Sequence, residues 1–201
     1  MKKLQSILTA FLCMLFVSAS AQTRWDFTTM TQADKDLCSA DANWLLGTDR
    51  YCYLAELSNS ALMAGGTELS YAKGLRFTAG AASEKAEGKA KIRLNYGSSR
   101  LELNGTSVSL TIPGLKAGQT VTLSAMTGKT GVERGFNVSN LTPVSGFFNA
   151  TSTEKQTNVG TVTADGDVVL TTTAGMYVYS LEVSDAASGG GSVTPSTGNN
   201  V

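Results

Sequence analysis

From Arg24 onward the hydrophobic pattern of the chain has period two. Ile92, Leu94 and Tyr96 alternate with Lys91, Arg93 and Asn95, and Leu101 and Leu103 alternate with Arg100 and Glu102. Val108, Leu110 and Ile112 alternate with Ser107, Ser109 and Thr111, and Val121, Leu123 and Ala125 with Thr120, Thr122 and Ser124. Each run has one apolar and one polar face, as expected of strands that cover a core on one side. Turn residues separate the runs: 95–99, Asn104-Gly105, Pro113-Gly114 and Ala117-Gly118. Asn104-Gly105 predicts a hairpin, since both residues tolerate positive φ, and Asp165-Gly166 repeats the device between 159–163 and 168–173. Trp25 and Phe27 share a face of a first strand, and Tyr177, Tyr179, Leu181 and Val183 share a face of a last one. Both faces read as core-facing, and the two strands are expected to lie close together. Strands recurring every ~8–12 residues with such turns predict an all-β fold, an antiparallel β-sandwich of jelly-roll-like form. One short helix is expected over 32–39, capped by Thr31 with Asp34 closing the box. The absence of a long amphipathic helix argues against a parallel α/β fold.

The two ends of the chain break this pattern. Met1-Lys2-Lys3, an apolar stretch and the small residues Ser18 to Ala21 read as a signal peptide over 1–21, cleaved after Ala21. The apolar run is shorter than the ~20 residues that span a bilayer, and Ala10-Phe11-Leu12 before Cys13 lacks the small residues of a lipidation site. The sandwich is assigned to 22–185. Residues 186–201 carry no charge and no aromatic and include Gly189-Gly190-Gly191, a linker composition or truncated tail that implies a further C-terminal domain. Export places the mature protein outside the cell or at its surface, with no membrane span after cleavage. There Cys38 and Cys52 are candidates for a disulfide worth roughly 3 kcal/mol, against the reading of two separate small apolar thiols.

Charge and composition then narrow the function. The chain balances 16 Lys+Arg against 16 Asp+Glu; removing Lys2 and Lys3 with the leader leaves 14 against 16, a net charge of −2. Without a basic run, nucleic acid is not an expected partner. Histidine is absent, which excludes Ser-His-Asp and Cys-His nucleophile systems, an imidazole base and histidine metal ligands. Candidate carboxylates such as Asp26, Asp49, Glu56, Glu68, Glu133, Asp165 and Asp167 fall in no recognisable catalytic pair. Asp165-Gly166-Asp167 is better explained as a turn than as a calcium loop. The expectation is a protein that is not an enzyme and uses no cofactor or metal.

Aromatic rings and a planar cation supply the candidate binding residues, since sugar faces stack on rings while polar groups take the hydroxyls. Trp44 lies in the loop-like 39–50 stretch, Tyr51 and Tyr53 share a face of the next strand, and one ring of Phe147-Phe148 is expected outside. Arg134, in the loop Gly131-Val132-Glu133-Arg134-Gly135, can offer a fork of hydrogen bonds to a sugar or carboxylate. The competing reading makes Trp44 a plug at the end of the sandwich, the tyrosines and Phe147 part of its core, and Arg134 a surface charge paired with Glu133.

Several short stretches carry a resemblance. They are 23–28 directly after the signal peptide, Lys73-Gly74-Leu75-Arg76-Phe77, the run 112–121 beginning Ile112-Pro113-Gly114, and the closing 177–183. Over 22–185 the chain resembles the non-catalytic, galactose-binding-like β-sandwich at the N-terminus of secreted pectate-lyase-like and surface polysaccharide-utilisation proteins. The resemblance implies a fold and a context, transfers no binding motif, and does not extend to lyase activity, because the β-helical catalytic repeats are missing. The resulting expectation is a secreted, non-catalytic accessory module that binds polysaccharide and is tethered to another domain. The alternative is a structural or adhesive cell-surface domain with no sugar site.

Overall fold

A computed structural model describes residues 22–38, 44–46, 51–54, 61–64, 67–78, 91–143 and 149–186, and in these the alternating runs are strands. In chain order they are β1 (Thr23–Asp26), β2 (Trp44–Leu46), β3 (Tyr51–Leu54), β4 (Met63–Ala64), β5 (Thr67–Glu68) and β6 (Arg76–Thr78). Then follow β7 (Ile92–Asn95), β8 (Arg100–Leu103), β9 (Ser109–Leu115), β10 (Thr120–Thr127) and β11 (Arg134–Ser139). The last are β12 (Leu141–Pro143), β13 (Asn149–Ala150), β14 (Gln156–Val162), β15 (Gly166–Thr172) and β16 (Met176–Ser184). One helix, α1 (Gln32–Cys38), and two 3₁₀ turns, Phe27–Thr29 and Ser70–Ala72, complete the described elements. The expected capping box forms at α1: the Thr31 amide donates to Asp34 Oδ2 at 2.7 Å, and the Asp34 amide to Thr31 Oγ1 at 3.4 Å.

Two antiparallel sheets form a sandwich, as the period-two pattern predicts. The larger runs β12-β14-β10-β16-β8-β7-β3-β2 with β1 beside β16; the smaller runs β13-β11-β15-β9-β6, and β4-β5 is a separate ribbon. The apolar members of the alternating runs meet between them: Leu94, Leu101, Leu110, Ile112, Val121 and Leu123 are all buried. The first and last strands do come together, with Thr23 opposite Val183 and Trp25 opposite Leu181. On that edge of β16, β8 pairs with 176–178 and β1 with 180–183, so the two share one edge end to end.

Two sequence expectations need correction. The hairpins read from Asn104-Gly105 and Asp165-Gly166 are instead corners between sheets, because β8 and β14 lie in the large sheet while β9 and β15 lie in the small one. From β8 to β16 every step in sequence changes sheet. Gly105 (φ 99°) and Gly166 (φ 139°) do adopt positive φ, but a corner demands that freedom as much as a hairpin does. The second correction concerns the last strand, whose core-facing residues are Met176, Val178, Leu181 and Val183. A register shift against β10, where Ser124 faces Ser180 and Ala125 faces Val178, inserts Tyr179 as a bulge. One extra residue changes the phase, so Tyr177 and Tyr179 stay half-exposed and leave the core set.

The corners are tied to one another by carboxylates. Asp165 accepts from Lys116 Nζ at 2.8 Å and from the Ala117 amide at 3.0 Å, and Asp167 accepts from the Gly114 amide at 2.9 Å. The hydrogen bond from Lys116, with the Ala117 amide behind it, holds the Asp165 carboxyl below the ordinary carboxylate range. At Asp26 burial pushes upward, but hydrogen bonds from Thr28 and Arg24 more than offset it and the carboxyl is again lowered. A carboxyl lowered in the folded state adds stability above its unfolded pKa of about 3.9, and that stability is lost as pH falls through the folded value. The urea midpoint is therefore expected to drop as pH falls below the ordinary carboxylate range, and Asp26→Asn to flatten part of that drop. Asp165→Asn should flatten it less, since its ion pair is exposed and screened. An Asp26→Asn profile as steep as the wild type's would remove Asp26 from the account.

Candidate functional site

The strand alternation puts Arg93, Asn95, Arg100 and Glu102 on the outer face of the large sheet, opposite Leu94, Leu101 and Leu103. Yet Glu102 and Asn95 are each only 1% exposed. Register explains the grouping: Arg93 faces Glu102 and Asn95 faces Arg100 across β7–β8, while Tyr177 of β16 faces Glu102 from the other side. Glu102 Oε1 accepts from Arg100 Nη2 at 2.8 Å, Arg100 Nε at 3.0 Å and Asn95 Nδ2 at 2.7 Å, and Oε2 accepts from Arg93 Nη2 at 2.7 Å. Bound in this way, the Arg100 guanidinium lies 3.7 Å from the centre of the Tyr177 ring, a cation–π stack. Burial alone lowers the Arg100 pKa; hydrogen bonds and charge from Glu102, with Tyr179 adding to them, outweigh it and hold the pKa above its ordinary value. Tyr179 in turn donates to Met126 Sδ at 3.2 Å and carries Lys155 Nζ 5.2 Å from its ring centre.

Arg134 lies where this face turns over the end of the sandwich. It is the first residue of β11, not a loop residue, and it is anchored by its neighbour: the Gly135 amide donates to Thr173 Oγ1 at 3.0 Å and the Thr173 amide to the Gly135 carbonyl at 3.0 Å. Its guanidinium reaches the β15–β16 connection, where a Cβ added at Gly175 would stand 3.4 Å from Nη1. The Gly128 amide donates to the Gly175 carbonyl at 3.1 Å, and a Cβ at Gly128 would stand 3.3 Å from the Tyr177 hydroxyl. Arg134, Gly175, Gly128, Tyr177 and Arg100 therefore form one continuous surface. Glu133 is exposed and makes no ion pair with Arg134. Among the described residues nothing accepts from the Arg134 side chain, and its buried Nε–H has no partner.

The other expected residues are placed as follows. Tyr51 and Tyr53 stand opposite Asn95 and Arg93, so β3 borders the network, and Trp44 stands opposite Leu54 in β2. The side chains of all three, and Phe147 altogether, lie outside the described residues. Cys52 is fully buried. No disulfide is present among the described residues; the Cys38 side chain lies outside them. The residues missed by sequence reasoning are Arg93, Asn95, Arg100, Glu102, Tyr177 and Tyr179. The first four carried a visible signal, two arginines around one acid on adjacent polar strand faces, but a polar face reads as solvated until its burial is known.

A separate concavity of about 360 Å³ opens at the other end of β16, lined by Trp25, Lys73, Pro113, Lys116, Gln119 and Asp185 among others. Several of its polar groups are already engaged: Lys116 with Asp165, Gln119 Nε2 with Asp185 at 3.1 Å, and Trp25 Nε1 with the Lys73 carbonyl at 2.6 Å. Among the described residues two buried guanidinium nitrogens lack a hydrogen-bond partner, Arg93 Nε, in a group already paired with Glu102, and Arg134 Nε, in a group with no carboxylate beside it. The fold defines the class of the protein as an antiparallel β-sandwich. Compared with known proteins, the chain matches no family model and no curated sequence significantly.

Proposed function

We propose that the protein is a secreted, non-catalytic accessory module that binds glycan on the surface running from Arg100 and Tyr177 to Arg134. The observation that carries the reading is the Arg100–Tyr177 stack, locked from behind by the buried Glu102. A ring and planar donors held in advance lose little freedom on meeting a flat, hydroxyl-rich ligand, so less of the binding energy is spent on ordering them. The galactose-binding-like resemblance and the signal-like N-terminus agree with this role. The lack of histidine, and the engagement of Asp26, Glu102, Asp165 and Asp167 in hydrogen bonds, support a module that holds its ligand and leaves chemistry to another domain.

Affinity electrophoresis against a panel of plant and host polysaccharides is expected to retard the protein on at least one of them. Tyr177→Ala should abolish most of that retardation, about tenfold or more in affinity, while leaving the fold intact. Silence across the panel would sink the glycan reading and leave the structural or adhesive one. Retardation that Tyr177→Ala does not change would place the site elsewhere on the molecule.

A further inference from the structure

The Arg93–Asn95–Arg100–Glu102 network balances most of its own charge; Arg134 does not. Its guanidinium is half-buried, its Nε–H is sealed from solvent without an acceptor, and no carboxylate among the described residues pairs with it. The one acid beside it in sequence, Glu133, stays exposed and apart. Partly desolvating a cation without a counter-charge is unfavourable, and structures keep such groups rarely. Space is also kept open on this side. A Cβ at Gly128 would stand tightly against the Tyr177 hydroxyl at 3.3 Å, while one at Gly175 would only touch Arg134 Nη1, at 3.4 Å. A neutral hydroxyl would satisfy the donors of Arg134 and leave its charge unbalanced, whereas a carboxylate would do both, with two oxygens matched to the planar fork.

We infer that Arg134 reads a carboxylate on the glycan, so that the ligand is an acidic saccharide whose uronate group sits on Arg134 while a sugar ring lies against Tyr177. This rests on the glycan-binding reading and adds the charge of the ligand to it. Arg134 provides selectivity, and the Arg100–Tyr177 stack provides the surface common to neutral and acidic sugars.

The test uses the whole mature chain and three probes: a hexuronate oligosaccharide, the same oligosaccharide with its carboxyl groups reduced to alcohols, and acetate. Binding is followed by calorimetry and by the ¹⁵N–¹H resonance of Arg134 Nε. The uronate is expected to bind at least tenfold more tightly than its reduced counterpart and to shift the Arg134 signal. Arg134→Gln should erase that difference, and added salt should weaken only the acidic ligand. Equal binding of the acidic and reduced oligosaccharides would overturn the carboxylate assignment and leave glycan binding standing. Acetate shifting the Arg134 signal as strongly as the oligosaccharide would overturn the sugar part of the assignment. No binding and no shift with any probe would remove both.

Discussion

Glu102→Ala is expected to lower stability by about 3–5 kcal/mol, a large part of the ~5–15 kcal/mol that a domain normally holds. The reason is the state of the partners left behind. Arg93, Arg100 and Asn95 all donate to this one carboxylate, and both guanidinium groups are mostly shielded, their side chains being 18% and 16% exposed. Removing the acid takes away the one carboxylate that both shielded guanidinium groups share. Glu102→Gln keeps the shape and one acceptor oxygen, so it should fall between wild type and alanine. Replacing the acid together with both arginines by apolar residues of similar size should recover much of the loss, because a complete buried ion cluster is often close to neutral overall. Denaturant midpoints on the four proteins decide the matter. A Glu102→Ala protein within about 1 kcal/mol of wild type would mean that the network contributes as an ordinary surface pair.

Phe27→Ala should cost a similar amount, about 3–5 kcal/mol, by a different mechanism. Phe27 is fully buried at the start of the Phe27–Thr29 turn, directly after β1, and meets Tyr71 edge-on with ring centres 6.1 Å apart and planes at 65°. The Asp26 side chain caps this turn by accepting from the Thr28 amide, which fixes the backbone beneath the ring and limits how far the surroundings can collapse into the space it leaves. Phe27→Leu retains most of the volume and should cost less than half as much. Thermal unfolding of the pair separates the mechanisms, because Phe27 variants lose packing without altering the pH dependence that Asp26 contributes. Near-equal losses for alanine and leucine would show that the edge-to-face contact, and not the cavity, dominates.

Much of the fold is legible in the alternation alone. Leu94, Leu101, Leu110, Ile112, Val121 and Leu123 all face the core, because a period of two leaves only one way to bury them together. Thr31 and Asp34 mark the helix start for an equally local reason. What the alternation cannot encode is whether a turn stays in its sheet. Asn104-Gly105 meets the backbone demands of a hairpin and of a sheet-to-sheet corner equally well, and only the partners of β8 and β9 distinguish them. The Tyr179 bulge is similarly hidden, since it depends on the register against β10 and not on the residues of β16. At the candidate site, Arg134 is visible as a planar cation between two glycines, but that its buried Nε–H meets no acceptor among the described residues is a property of the assembled sandwich. Glu102 is the opposite case: it reads as an ordinary polar-face acid, and only the convergence of two arginines and an asparagine on it reveals a fixed centre of charge.

The pairing of β1 with the far end of β16 also decides how the domain responds to pulling. The chain enters at Thr23 and leaves near Ser184, side by side at one end of the same antiparallel pair. A force drawing these two points apart opens the hydrogen bonds one after another, like a zip, instead of loading them all in shear. The first ladder to yield would be β1 from β16, and the corner carrying Trp25 would loosen early. Arg134 and Tyr177 lie at the opposite end, roughly 20 Å away along β16 by strand rise, in a part of the sheet that the opening reaches last. Under tension the end where β1 meets β16 gives way first, and the end carrying Arg134 and Tyr177 keeps its shape.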